Sequence, residues 1–190
     1  MELYDCFVAR LNQELIPAIG CTEPIAIALA SAKVAEVMGA NIDRVRIKVS
    51  GNILKNVKSV LVPNTNGLRG VDAACVVGLV GGKSELGLEV LEELTSEQLE
   101  RAKALLETDF CTVSHMETDE PLHIIVEGDS GKDTVVVELK GGHTDIVKIT
   151  KNGEVLFEKP PVIKEVCELN CKMKDVYDFA NEVKMEDIAH

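Results

Sequence analysis

The sequence predicts an α+β fold in which helices pack with an antiparallel β-meander. Three observations predict it: apolar residues recur at helical spacing in the first half of the chain, the period drops to two in the short runs after residue 110, and turn residues separate those runs. The 190 residues, 46% of them hydrophobic, suffice for a core. We expect an α+β lobe over 41–160 with flanking helices over 1–40 and 161–190, the whole forming a single amino-terminal portion of a larger architecture.

Leu3, Phe7, Leu11 and Leu15 stand four apart, with Tyr4 and Val8 beside them, and so mark one apolar helix face that Pro17 ends. After Gly20, Thr22 is the expected N-cap, with Glu23 and Pro24 in a first turn where an acid and a missing N–H are both favourable. Ile25–Met38 form the helix body and Gly39 its stop. From Arg44 the period becomes two: Val45, Ile47 and Val49 face one way, Arg46 and Lys48 the other, a half-buried strand that Gly51-Asn52 is expected to break. Val60–Val62 predicts a second short strand, and Pro63-Asn64-Thr65-Asn66-Gly67 a loop of residues that tolerate positive φ. Residues 68–81 predict a buried helix, Ser84 the cap of another running to Leu94, and Thr95 with Gln98 a capping box ahead of Leu99–Leu106. The runs 111–115, 122–127, 134–139, 145–150 and 155–158 predict the strands of the meander, with Gly128–Gly131 and Asn152-Gly153 as hairpin turns. Pro160-Pro161 marks a boundary, and 162–183 predict a further acidic-polar helix.

With 32 acidic residues against 20 basic ones and a formal charge of -12, the chain offers no match to a phosphate backbone, so nucleic acid is not an expected partner. Aromatic content of 3% and the absence of Trp argue against base- or sugar-stacking platforms. Residues 1–5 lack the start of a signal peptide and no stretch approaches the ~20 apolar residues of a membrane span, so a cytoplasmic protein with no membrane association is expected. Six cysteines are too sparse for a disulfide scaffold and are expected to be thiols.

Cys21 is the first of these to consider. A thiol at the positive end of a helix meets unpaired N–H groups and is expected to have a lowered pKa, which makes it a nucleophile or a metal ligand. Cys6, Cys75 and Cys111 lie in apolar patterns as core residues, and Cys167 with Cys171 would share a helix face as two metal ligands can. His143, in a turn after Gly141-Gly142, can exchange a proton near neutral pH. Neither a phosphate-cradling P-loop nor a paired-cysteine zinc signature occurs.

Four blocks carry a resemblance: IGCTEPIAIALA at 19–30, SGNILKNVKSVLVPNTNGLRG at 50–70, LGLEVLEEL at 86–94 and GGHTDIVKITKNGEVLFE at 141–158. In this order they resemble the amino-terminal half of the L-cysteine desulfidase family, itself similar to the α domain of iron–sulfur L-serine dehydratases. The resemblance implies a [4Fe–4S] cluster held by three cysteines, with Cys21 as the amino-terminal ligand and one open iron that acts as a Lewis acid on an amino-acid substrate. β-Elimination from L-cysteine would then give pyruvate, ammonia and sulfide. Because the other cluster cysteines belong to blocks this chain lacks, the cluster is expected in the complete protein and not in this chain alone, which is expected to be inactive without a carboxy-terminal half or partner subunit.

By the same resemblance, Asn64, Thr65, Asn66 and Gly67 stand at a glycine-rich substrate loop, with Lys55 and Asn56 placed to orient the substrate's carboxylate. Glu23 and His143 are the candidate proton acceptors. Self-association into a homo-oligomer is a further expectation. The alternatives are an L-serine dehydratase, differing in leaving group, and a non-catalytic scaffold or binding module.

Overall fold

The computed structural model describes residues 2–160 and 170–188 and has the expected α+β fold. It comprises two compact units: Ala18–Pro160 is one, and the segments before and after it form the other.

The larger unit is built on a six-stranded sheet in the order β2-β1-β3-β4-β5-β6. Its strands are β1 (Arg44–Ser50), β2 (Cys111–Met116), β3 (His123–Asp129), β4 (Thr134–Lys140), β5 (Ile146–Lys151) and β6 (Glu154–Glu158). The meander runs from β3 to β6, antiparallel throughout, while β1 pairs antiparallel with β3. One expectation is corrected: β2 lies outside the meander and pairs parallel with β1 in register Ile47↔Val113. A parallel return needs a crossover, and the helices between residues 51 and 110 supply it. Alternation within 111–116 marks a strand but does not choose its partner.

These helices are α3 (Gly51–Val57), α4 (Val71–Gly81) and α5 (Ser96–Leu106), preceded in the unit by α2 (Thr22–Met38). The sequence reading missed α3, where Gly51-Asn52 starts a helix instead of breaking the chain. Ile53 and Val57, four apart and both fully buried, carry the apolar face that forms it. Val60–Val62 is not a strand but one side of a loop closed by the Leu61↔Arg69 bridge and the Val62 N–H donating to Leu68 O at 2.9 Å. The expected helix from Ser84 to Leu94 shortens to a 3-10 helix over Ser84–Glu89, because Gly87 sits at φ 57°, ψ -121°, outside any right-handed helix. The capping box is present: the Thr95 hydroxyl accepts from Gln98 N–H at 3.2 Å, and Gln98 Oε1 accepts from Thr95 N–H at 2.9 Å.

Helix α2 is the centre of the core. It packs against α4 on one side and against β3 and β4 on another, so Ile25–Ala30 are buried on all faces, which accounts for the Ala-rich composition. Where α2 and α4 cross, a Cβ on Gly78 would lie 2.4 Å from the Ala28 carbonyl oxygen, so the backbones approach as closely as glycine alone permits. The Asn152-Gly153 turn has positive φ at both residues, 54° and 82°, as a type I′ hairpin requires.

In the smaller unit α1 (Leu3–Glu14) meets α6 (Met173–Glu182) and α7 (Met185–Ile188). Phe7 packs on Phe179 with ring centroids 4.8 Å apart, and Tyr4 Oη donates to Asp187 Oδ2 at 2.7 Å. Cys6 is buried and disulfide-bonded, which departs from the expectation of free thiols. Cys167, half of the expected ligand pair with Cys171, lies outside the described residues, as does the first part of the helix expected over 162–183.

Candidate functional site

The start of α2 gathers the groups that the sequence marked out. Cys21, not Thr22, is the residue at the N-cap position, with extended backbone at φ -62°, ψ 124°. Thr22 therefore begins the helix, Glu23 follows in the first turn, and Pro24 fills a position whose N–H would have had no partner within the helix. The Glu23 carboxylate folds back over this end. It accepts from the Cys21 thiol at 3.1 Å and from the Thr22 hydroxyl at 3.5 Å on Oε2, and from Asn56 Nδ2 at 3.4 Å on Oε1.

Asn56 arrives from α3, so the helix missed in the sequence is what positions it. His143 arrives from the β4–β5 turn, where its Nε2 shares a 3.1 Å hydrogen bond with the Thr22 hydroxyl. The turn is fixed by Gly141 N–H donating to Leu122 O at 2.9 Å and by Asp145, which pairs with Lys159 at 2.8 Å. One connected network thus joins Cys21, Glu23, Asn56, Thr22 and His143. Thr22 is the member that sequence reasoning treated only as a cap; a hydroxyl beside a first-turn acid was the available signal.

Electrostatics correct the expectation for the thiol. Partial burial and the hydrogen bond to Glu23 push the Cys21 thiol up from its ordinary value, against the opposing pull of the Glu23 backbone N–H. The helix end favours thiolate in general, but here an anion stands 3.1 Å away and the thiol donates to it. Burial acts to raise Glu23 too, yet the Cys21 thiol, the Glu23 backbone N–H, His143 and Asn56 together hold its carboxyl below the ordinary range.

The 63–67 loop lies alongside. A Cβ on Gly20 would come within 2.7 Å of Pro63 Cγ, so the segment leading into Cys21 rests directly on the loop. Asn64 and Asn66 adopt the left-handed region, with φ of 58° and 54°, and Gly67 has φ 109°; asparagine takes the conformation expected of glycine. Asn64 Nδ2 is spent on Leu91 O at 3.1 Å, and the buried Thr65 hydroxyl donates to Val62 O at 2.7 Å. Asn66 and Gly67 are exposed at the loop's tip, and Lys55 is exposed on α3 beside Asn56. The loop's accessible groups are therefore those of residues 64, 66 and 67, while Thr65 turns inward.

The remaining thiols are elsewhere. Cys75 is fully buried in α4, and the neighbouring Cys111 thiol together with burial pushes it well above its ordinary value, as suits a core residue. Cys171 belongs to the smaller unit. Among the described residues no three His, Cys, Asp or Glu side chains are arranged to hold a metal ion, and no helix is long and apolar enough to cross a membrane.

No family model matches the chain, and no solved structure matches it. Curated relatives do. A UPF0597 protein of Lachnoclostridium phytofermentans is 45% identical over 192 residues, covering 98% of this chain and 45% of the relative. Those of Finegoldia magna and Treponema denticola are 47% and 41% identical, covering 96% and 98% of the chain and 45% and 44% of the relatives. The chain spans somewhat under half the length of the relatives it matches, and their name states no activity, substrate or cofactor. Over nearly all of its own length, then, the chain is a homologue of the UPF0597 proteins.

Proposed function

We propose that the chain is the amino-terminal portion of an iron–sulfur-dependent lyase of the L-cysteine desulfidase type, which converts L-cysteine to pyruvate, ammonia and sulfide by β-elimination. The observation that carries this reading is the exposed Cys21 thiol at the start of α2, within one hydrogen-bonded network with two groups that exchange protons, Glu23 and His143. The greater length of the relatives supports the companion reading that activity needs a further portion beyond the span this chain matches.

The fit to a [4Fe–4S] cluster is partial. Cys21 suits one ligand position, being exposed and set where a helix end favours an anion. Among the described residues no second thiol joins the Cys21 hydrogen-bond network: Cys75 is buried in the core of α4, Cys111 stands on β2, and Cys6 is disulfide-bonded. The chain therefore fits one leg of such a site and not the whole.

The placement of the chain's own residues supports this reading. Glu23 accepts the Cys21 S–H and so orients the sulfur that would hold the cluster. Asn56 and Thr22 fix that carboxylate, and His143, held by Thr22, is the group placed to exchange a proton with the substrate. The tip of the 63–67 loop, with Asn64, Asn66 and Gly67, and Lys55 on α3 orient a small amino acid's carboxylate.

Anaerobic iron and sulfide loading of this chain with the carboxy-terminal half of a relative, followed by assays for sulfide from L-cysteine and ammonia from L-serine, tests the reading. Sulfide with pyruvate supports it, and ammonia from serine alone moves the assignment to a serine dehydratase. A stable complex that takes up iron but processes neither amino acid leaves a binding module.

A further inference from the structure

The outer edge of the sheet carries an apolar surface that nothing in the larger unit covers. Burial fades across the meander. Ile124 and Val126 in β3 and Val135, Val137 and Leu139 in β4 are fully buried under α2, β5 has no fully buried residue, and all of β6 is exposed. Val155, Leu156 and Phe157 are 46%, 53% and 44% exposed.

Phe157 pairs with Ile149 and Val155 with Thr150, with Leu156 the extra residue where the register shifts, so Val155 and Phe157 lie on opposite faces of the sheet. A strand with one wet face would place a polar residue at 155 or at 157. Apolar residues on both faces of an edge strand call for cover on both sides. On the face of Phe157, Ile146 and Ile149 of β5 together with Lys33 of α2 line an open groove of about 330 Å³. The charges around it are already paired, Lys159 with Asp145 at 2.8 Å, Lys148 with Glu158 at 2.9 Å and Lys33 with Glu36 at 2.6 Å. An apolar centre within a satisfied polar rim is the anatomy of a protein interface, and an uncovered edge of this kind invites pairing with another chain. The opposite edge is different: β2 presents Thr112, Ser114 and His115, which are polar and exposed.

We propose that β6 and the groove beside it are the docking surface for the part of the UPF0597 relatives' length that this chain lacks. The relatives of Lachnoclostridium phytofermentans, Finegoldia magna, Treponema denticola and Vibrio parahaemolyticus are 37–47% identical to this chain over nearly its whole span, yet more than half of each lies beyond the match, so each of these carries a further segment that could cover both faces of β6. The inference rests on the reading that a second half completes the protein, and adds where it attaches.

The test uses this full chain and the unmatched portion of the Finegoldia magna relative, made separately, mixed without iron and titrated by calorimetry. Binding is expected, and Leu156→Lys or Phe157→Lys should weaken it by roughly 30-fold or more, as loss of an anchoring side chain does. Ala104→Lys, an equally drastic change at an exposed position of α5, should leave affinity unchanged. Because the altered positions are exposed, circular dichroism should show every variant folded.

If the β6 variants bind as tightly as the parent, the surface assignment is overturned while the two-part reading stands. If no complex forms, both are overturned. If the chain alone forms a dimer that Leu156→Lys dissolves, and binds no partner, the surface belongs to a second copy and the proposal is overturned.

Discussion

Removing the negative charge from Glu23 should make Cys21 more reactive. In the structure the thiol donates to Glu23 Oε2 across 3.1 Å, and a thiolate there would face the carboxylate at that distance. Taking the water limit of the dielectric, because Cys21 is exposed, Coulomb's law gives a repulsion of about 1.3 kcal/mol. Glu23→Gln keeps the shape, removes that repulsion and raises the thiolate fraction at fixed pH by about tenfold. A less basic thiolate is also a weaker nucleophile, which returns roughly a factor of three, so the net gain in alkylation rate is about threefold.

The pH dependence carries the sign. The thiol is pushed up in the folded protein, so the parent's alkylation rate should climb through a range above that of an ordinary cysteine. The Glu23→Gln profile should shift to lower pH. The assay is iodoacetamide labelling of Cys21 followed by peptide mass spectrometry across pH 6 to 10, with the buried Cys75 as an internal control. Equal or slower labelling of Glu23→Gln would refute the claim that this carboxylate holds the thiol protonated.

Other substitutions test the packing and the network. Gly78→Ala should destabilise the larger unit by about 1–3 kcal/mol, because its Cβ meets the Ala28 backbone and neither helix can move without disturbing the core; an unchanged melting temperature would show that the helices separate freely. Leu91→Ala, at a fully buried position, should lose about 2–5 kcal/mol in urea unfolding, and a loss under 1 kcal/mol would mean that the site is not part of the packed core. Thr22→Val removes the hydroxyl between Glu23 and His143, and should leave the melting temperature nearly unchanged while shifting the His143 ring resonances in NMR; unmoved resonances would show that the bridge is not populated.

Much of the fold was legible because its signals are local. The four-residue spacing in α1, the two-residue spacing in β1, the Thr95–Gln98 box and the Asn152-Gly153 turn each depend on neighbours in sequence, and each stands where it was read. The errors have a common cause. The parallel pairing of β2 with β1 depends on a crossover of some sixty residues, and α3 begins with Gly51-Asn52, a pair that reads as a stop until the buried Ile53 and Val57 are weighed. The site divides in the same way. Cys21 and Glu23 are adjacent and were read together, whereas the link to His143 spans 121 positions and that to Asn56 spans 33, distances that only the folded sheet and α3 close. The thiol's raised pKa was missed because the dipole argument considered the helix end without the carboxylate that folds back over it.

The most direct test of the central claim is the iron content of Cys21→Ala. This chain and the complementary half of a relative are loaded anaerobically with iron and sulfide, desalted, and measured for bound iron and for charge-transfer absorption. The account predicts a parent complex that retains both and a Cys21→Ala complex of equal stoichiometry that loses the cluster on desalting. A Cys21→Ala complex that keeps as much iron and the same absorption as the parent would contradict it.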